Sequence, residues 1–116
     1  MVTFRRSDLM LVDFGPASGT EPGKTRPAVV VQTNFLNSLS HPSTIVVLCT
    51  SRLRGENQLR TRLPINSSGN KLESEVLIDQ IRAIDNRKFL RKLGTVPDLI
   101  FDEIEEKLRL VLSLDR

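Results

Sequence analysis

One cysteine and one histidine are all that the chain offers to a transition metal or a thiol mechanism, and it has no tryptophan or tyrosine. A zinc site draws on several Cys or His at short spacings, and the carboxylates lack the rhythm of a calcium loop, so the sequence gives no support to a metal cofactor. The single thiol excludes a disulfide within the chain. Cys49 ends the apolar run Ile45-Val46-Val47-Leu48-Cys49 with no His beside it, which reads as a buried side chain. The six glycines form neither a GxxxxGK[ST] nor a GxGxxG loop, and no GxSxG elbow is present, so a phosphate cradle for nucleotides and a serine hydrolase site are both excluded. No apolar run approaches the roughly 18 residues that cross a bilayer, and the opening MVTFRRSD lacks the apolar stretch of a secretory signal. A cytoplasmic protein without a membrane segment is expected. Five phenylalanines are the whole aromatic supply, few platforms for stacking nucleobases without sequence preference.

What is present is an ordinary globular balance of 39% apolar and 27% charged residues over 116 positions, enough for one packed domain spanning residues 1–116. Charge is unevenly placed. Up to Arg62 there are eight Lys and Arg against four Asp and Glu, whereas the remainder carries nine against ten. Arg52, Arg54, Arg60 and Arg62 are offset locally by Glu56 alone. Guanidinium groups suit phosphate, which invites a polyanion; charge by itself favours a solvated hairpin.

Apolar runs and turn residues alternate along the chain. Leu9–Phe14 reads as a strand, and Gly15–Lys24 has the Gly, Pro and Ser content of a long surface loop. Pro27–Gln32 and Thr44–Cys49 read as buried strands, with Asn34–Ser43 as a polar connection. Leu59–Ile65 alternates as a half-exposed strand, and Asn66–Asn70 is a turn cluster. Glu75–Asp79 and Ile81–Ile84 form one strand or two. Asp85 is placed to cap a helical stretch Asn86–Leu93 that Gly94 ends. From Pro97 onward Ile100, Ile104, Leu108, Val111 and Leu112 recur at helical spacing, with acids early and bases late. The expected fold is mainly β with a C-terminal helix: a small, strongly bent antiparallel sheet or open barrel with the helix packed on it.

Candidate chemistry is sparse. His41, in Leu39-Ser40-His41-Pro42-Ser43, has the right group for a general base but the setting of a solvated loop residue. Arg26 precedes Pro27, whose ring biases it toward extended backbone at the mouth of a strand. Thr50 ends the Thr44–Cys49 run and is followed by Ser51 and Arg52. A guanidinium and hydroxyls at strand ends can surround a phosphate, which makes Arg26, Thr50, Ser51, Arg52 and Arg54 candidates for contact with nucleic acid. Turn chemistry accounts for the same residues equally well.

Several segments, in order, resemble the MazF/PemK toxins of type II toxin–antitoxin systems. These are Asp8-Leu9 through Asp13-Phe14-Gly15-Pro16, then Ser18 to Gly23, then Gly23-Lys24-Thr25-Arg26-Pro27-Ala28-Val29-Val30-Val31. Val46-Val47-Leu48-Cys49-Thr50-Ser51, Glu75 to Asp85, and a final helix after Gly94-Thr95-Val96-Pro97 complete the set, covering nearly the whole chain. Ser7 departs from the pattern, standing where the family usually has Gly before Asp, and the Arg52–Arg62 segment falls in a variable region.

The resemblance implies an SH3-like barrel of the PemK/CcdB toxin type, working as a homodimer with single-stranded RNA in a groove between protomers. It implies a MazE-type antitoxin whose acidic tail competes for that groove, and cleavage without metal or cofactor. It carries over Arg26 and Thr50 as the catalytic pair. The implied reaction is attack of a ribose 2′-hydroxyl on the adjacent phosphate, leaving a 2′,3′-cyclic phosphate and a 5′-hydroxyl. The loop Ser18–Lys24, with Ser18, Thr20, Glu21, Gly23 and Lys24, is expected over the RNA, and Asp79 and Gln80 at its bases. A CcdB-like toxin that binds DNA gyrase, or a non-catalytic RNA-binding barrel, are the alternatives; the Arg26 and Thr50 match weighs against the first and the scarcity of aromatics against the second.

Overall fold

A computed structural model describes residues 2–16, 19–20 and 24–114. Its order is β1 (Asp8–Asp13), β2 (Thr25–Val30), α1 (Asn34–Ser38), β3 (Ser43–Thr50), β4 (Arg60–Leu63), β5 (Ser74–Asp85), a single 3-10 turn (Asn86–Lys88), β6 (Phe89–Thr95) and α2 (Asp98–Val111). The strands form one antiparallel sheet in the order β4-β5-β3-β2-β1-β6. Successive side chains leave a strand on opposite faces, so each central strand feeds two cores. Leu9, Val29 and Val47 point to the side covered by α2, whereas Met10, Ala28 and Leu48 point to the other, where Phe89 and Phe4 pack. The mainly β architecture with a C-terminal helix is as the sequence predicts, and the sheet is open, with β4 and β6 at its two ends.

Helix α2 buries Phe101, Ile104 and Leu108, each contributing roughly 1.5–3 kcal/mol on removal from water. This is not quite the predicted stripe. Phe101 replaces Ile100 as the leading contact, and Val111 and Leu112 lie past the last buried turn, more than a third exposed. The helix is also tethered by polar contacts. Arg6 pairs with Glu105 and lies 4.9 Å over the Phe101 ring, and Lys107 donates to the Arg60 carbonyl at 2.7 Å. Part of the basic N-terminal half thus serves the fold. Among the described residues no helix is long and apolar enough to cross a membrane.

Two further expectations are corrected. Asn34–Ser43 is not wholly irregular: Thr33 caps the short α1 by accepting from the Phe35 amide. The predicted helix Asn86–Leu93 is a single 3-10 turn followed by β6. Asp85 does cap that turn, accepting from the Arg87 amide at 2.8 Å. Its Arg, Lys and Leu residues favour helix locally, but pairing with the open edge of β1, from Val12↔Phe89 to Asp8↔Thr95, outweighs that preference. Gly94 ends no helix. It lies in β6 against Ser68 and Gly69 of the β4–β5 turn, and a Cβ on Gly69 or Gly94 would overlap the carbonyl of Leu93 or Ser68 respectively. At this contact the two ends of the open sheet meet through bare backbone.

Ser7 has φ of 78°, the left-handed region that glycine occupies without steric cost. Its amide donates to the Val30 carbonyl and its carbonyl accepts from Val96, so the turn is held from both sides. The conformation explains why a glycine suits this position. We expect Ser7→Gly to raise the melting temperature by about 2–4 °C, because relief of left-handed strain of about 1–2 kcal/mol exceeds the added chain entropy of about 0.4–1 kcal/mol. A thermal melt showing a lower midpoint would refute this reading of the turn.

Candidate active site

Strand register brings the candidate pair together. Ala28 of β2 is opposite Leu48 of β3, and two residues further along each strand stand Arg26 and Thr50. Thr50 is opposite Glu75 of β5, Glu75 is opposite Arg62 of β4, and Arg26 is opposite Val12 of β1. Opposed residues project from the same face, so one row across the sheet carries Arg26, Thr50, Glu75 and Arg62. Arg26 is thus inside β2, as its second residue, and not merely at the strand's mouth.

Two clefts open beside this row, and both are lined by Arg26 and Thr50. The first, about 490 Å³, runs past Lys24 and Ser51 to the 69–72 turn and to Arg91 and Leu93 of β6. The second, about 570 Å³, lies between the β3–β4 connection and β5, with Arg52, Arg54 and Arg60 facing Asp79 and Gln80. Arg26 is half-buried and Thr50 is only 6% exposed. The Thr50 hydroxyl oxygen accepts from the Arg52 amide at 3.1 Å. That bond occupies a lone pair and leaves the hydroxyl proton to be given to a ligand.

Glu75 has no exposed surface. Its carboxylate accepts from the amides of Arg54 at 2.9 Å and Gly55 at 2.8 Å, and from the guanidinium groups of Arg60 at 2.5 Å and Arg62 at 3.3 Å. Burial alone pushes a carboxyl up; these four donors outweigh it and hold Glu75 at about 2. A carboxylate so saturated is a poor proton acceptor, which excludes it as a general base. Arg62 also pairs with Glu73 at 3.2 Å, and these carboxylates raise its pKa further above the ordinary arginine value.

The structure brings Thr20, Arg26, Thr50, Arg52, Arg54, Asp79 and Gln80 to the second cleft, and Lys24 and Ser51 to the first. Ser18, Glu21 and Gly23 lie outside the described residues. Sequence reasoning missed Glu75, Lys71 and Arg91, and counted Arg60 only as part of the basic cluster. For Glu75 a signal existed: an acid at the head of an apolar strand, with four arginines in the preceding segment to receive it. Cys49 borders the first cleft but is fully buried, which pushes its thiol up to about 12, so it stays protonated and unreactive. His41 lines neither cleft. It is half-buried, its Nδ1 lying 2.9 Å from the Ser43 carbonyl and its own carbonyl accepting from Asn86 at 2.7 Å. Among the described residues no three His, Cys, Asp or Glu are grouped so as to hold a metal ion.

Known proteins share the fold of this chain. Endoribonuclease EndoA of Bacillus subtilis (strain 168) is 31% identical over 112 residues, covering 95% of each chain. The crystal structure of MazF from Deinococcus radiodurans superposes with a TM-score of 0.82 at 26% identity, covering 96% of this chain and 97% of that one. A MazE-MazF structure from the same organism gives a TM-score of 0.77 at 26% identity, with coverage of 97% and 98%. The family described as PemK-like, MazF-like toxin of type II toxin-antitoxin system matches residues 5–112. With nearly the whole chain matched and the fold shared, this protein belongs to the PemK-like, MazF-like toxins of type II toxin–antitoxin systems.

Proposed function

We propose that this toxin is an endoribonuclease that cuts single-stranded RNA by transesterification, without a metal, using Arg26 and Thr50 as its catalytic residues. The observation that carries the reading is the placement of these two side chains in one cross-strand row, on the wall common to both clefts. A strand bound across both clefts presents a phosphate to that wall. The endoribonuclease name of the Bacillus subtilis relative supports the same reaction class.

In the proposed reaction the ribose 2′-hydroxyl attacks the adjacent phosphorus and the 5′-oxygen of the next nucleotide departs. The products are a 2′,3′-cyclic phosphate and a 5′-hydroxyl. Negative charge grows on the non-bridging oxygens as phosphorus becomes five-coordinate. A guanidinium held by a strand meets that charge without reorganising, which is the role assigned to Arg26. A guanidinium group gives up a proton only reluctantly. Thr50 supplies a hydrogen bond to the phosphate or the attacking hydroxyl, its orientation fixed by the Arg52 amide. Asp79 and Gln80, at the far wall of the second cleft, are assigned to base edges, and the Ser18–Lys24 loop to covering the strand. The partners proposed are a second copy of this chain and a cognate MazE-type antitoxin; the MazE-MazF structure from Deinococcus radiodurans supports the latter. Lys24, Arg26, Lys71 and Arg91 around the first cleft suit an acidic segment competing with RNA.

Arg26→Ala and Thr50→Ala are each expected to slow cleavage by at least about 100-fold while leaving melting behaviour close to the parent, since neither truncation opens a large core cavity. Two folded variants as active as the parent would displace the site. Activity is expected to persist in excess EDTA; loss that magnesium restores would overturn the metal-free mechanism. Replacing the 2′-hydroxyl by hydrogen at the nucleotide 5′ to the scissile bond removes the nucleophile and keeps the phosphate contacts. Such a strand is expected to bind, to compete, and to stay whole by mass spectrometry; cutting at the substituted position would implicate water as the nucleophile.

A further inference from the structure

The β3–β4 connection, from Ser51 to Leu59, contains no regular helix or strand, and nearly all of its residues are exposed, so no apolar packing fixes it. Its attachment is polar. Glu75 takes the amides of Arg54 and Gly55, and through Arg60 it also reaches the carbonyl of Arg52, to which Arg60 Nη1 donates at 3.0 Å. Glu56 adds one bond, accepting from the Arg62 amide at 3.1 Å. The arginines of this segment therefore fall into two kinds. Arg60 and Arg62 are paired with Glu73 and Glu75, whereas among the described residues Arg52 and Arg54 have no carboxylate within ion-pair distance. Both unpaired arginines line the second cleft, on the wall facing Leu77 and Asp79.

We propose that Glu75 is a positioning residue that holds the β3–β4 connection against β5, setting Arg52 and Arg54 as a second phosphate subsite for the RNA strand. This rests on the RNA reading above and extends it: Arg26 and Thr50 hold the phosphate that reacts, and the second cleft holds a neighbouring one. Glu75 is opposite Thr50, so the anchor of the subsite and the catalytic row are adjacent positions of one sheet. A carboxylate is needed because it accepts from two amides and two guanidinium groups at once; an amide side chain offers one acceptor oxygen and two donors that those groups cannot use.

The test is binding of an uncleavable strand, deoxy at the scissile nucleotide, measured by fluorescence anisotropy over a salt titration. Glu75→Gln removes a negative charge, so a purely electrostatic role predicts tighter binding to RNA. Positioning predicts the opposite, binding about tenfold weaker through the loss of well-placed phosphate contacts. Arg52→Ala with Arg54→Ala is expected to lower the slope of log affinity against log salt by about 1.4, at about 0.7 per contact on a single strand. Adding Glu75→Gln to that pair is expected to cost little more, because both act on the same subsite. On cleavable RNA the Glu75 effect belongs in KM more than in kcat. Glu75→Asp keeps the charge but shortens the reach, and it is expected to weaken binding as well, which covers the case in which the glutamine variant does not fold. Unchanged or tighter binding by folded Glu75 variants, or additive losses in the combined variant, would overturn the proposal. A parent that binds the strand but cuts no RNA, with the variants still weakened, would instead remove the nuclease reading and leave the subsite standing.

Discussion

A carboxylate taken wholly out of water has to be met by hydrogen bonds from the protein, and the arrangement around Glu75 follows from that requirement. The donors that satisfy it come from two edges of one problem: the irregular β3–β4 connection and the edge strand β4. Each donor is thereby placed. The connection is drawn over the face of β5, the two β4 guanidinium groups are turned inward, and the remaining arginines of the segment are left to face the cleft. The outer edge of β4 is itself occupied, its Arg62 amide donating to Glu56 and its Arg60 carbonyl accepting from Lys107, which guards it against pairing with other chains.

The catalytic pair shares its cross-strand row with this network but is held in a different way. Arg26 and Thr50 come from strands whose interiors are apolar, and their positions are set by backbone pairing that extends from the core outward. Thr50 takes its orientation from the Arg52 amide two residues on, a bond local to the end of β3. A rigid sheet and a polar anchor together fix groups that neither would fix alone, in keeping with sites whose first contacts are locked by a supporting layer.

Much of this is legible in the sequence. The strand runs, the C-terminal helix and the buried thiol follow from period and composition, and Arg26 and Thr50 stood out through resemblance to the toxin family. Residue chemistry by itself did not single them out, because their meeting depends on which strands pair and in what register, and no periodicity in one strand records that. Strand β6 was hidden for a related reason: Arg87, Lys88, Leu90, Arg91 and Lys92 favour helix locally, and the need to pair β1 is a property of a distant segment. Glu75 read as the polar end of a strand because its partners are 13 to 21 residues away in sequence. The left-handed turn at Ser7 shows the converse, a departure from the family pattern whose physical meaning emerges only with its φ angle.

The contact between Gly69 and Gly94 bears on the first cleft in a way that neither residue's own chemistry suggests. One wall of that cleft continues from the β4–β5 turn through Lys71 and Leu72, and the other from β6 through Arg91 and Leu93. The walls belong to opposite ends of the sheet, and where they meet, two missing β-carbons let carbonyl and Cα come into contact. The groove beside Arg26 is therefore gauged like a clasp: its aperture is set by how closely two stretches of main chain can lie. A methyl group on either side would act as a wedge, altering the shape of the binding surface by forcing apart main chain that itself lines the cleft.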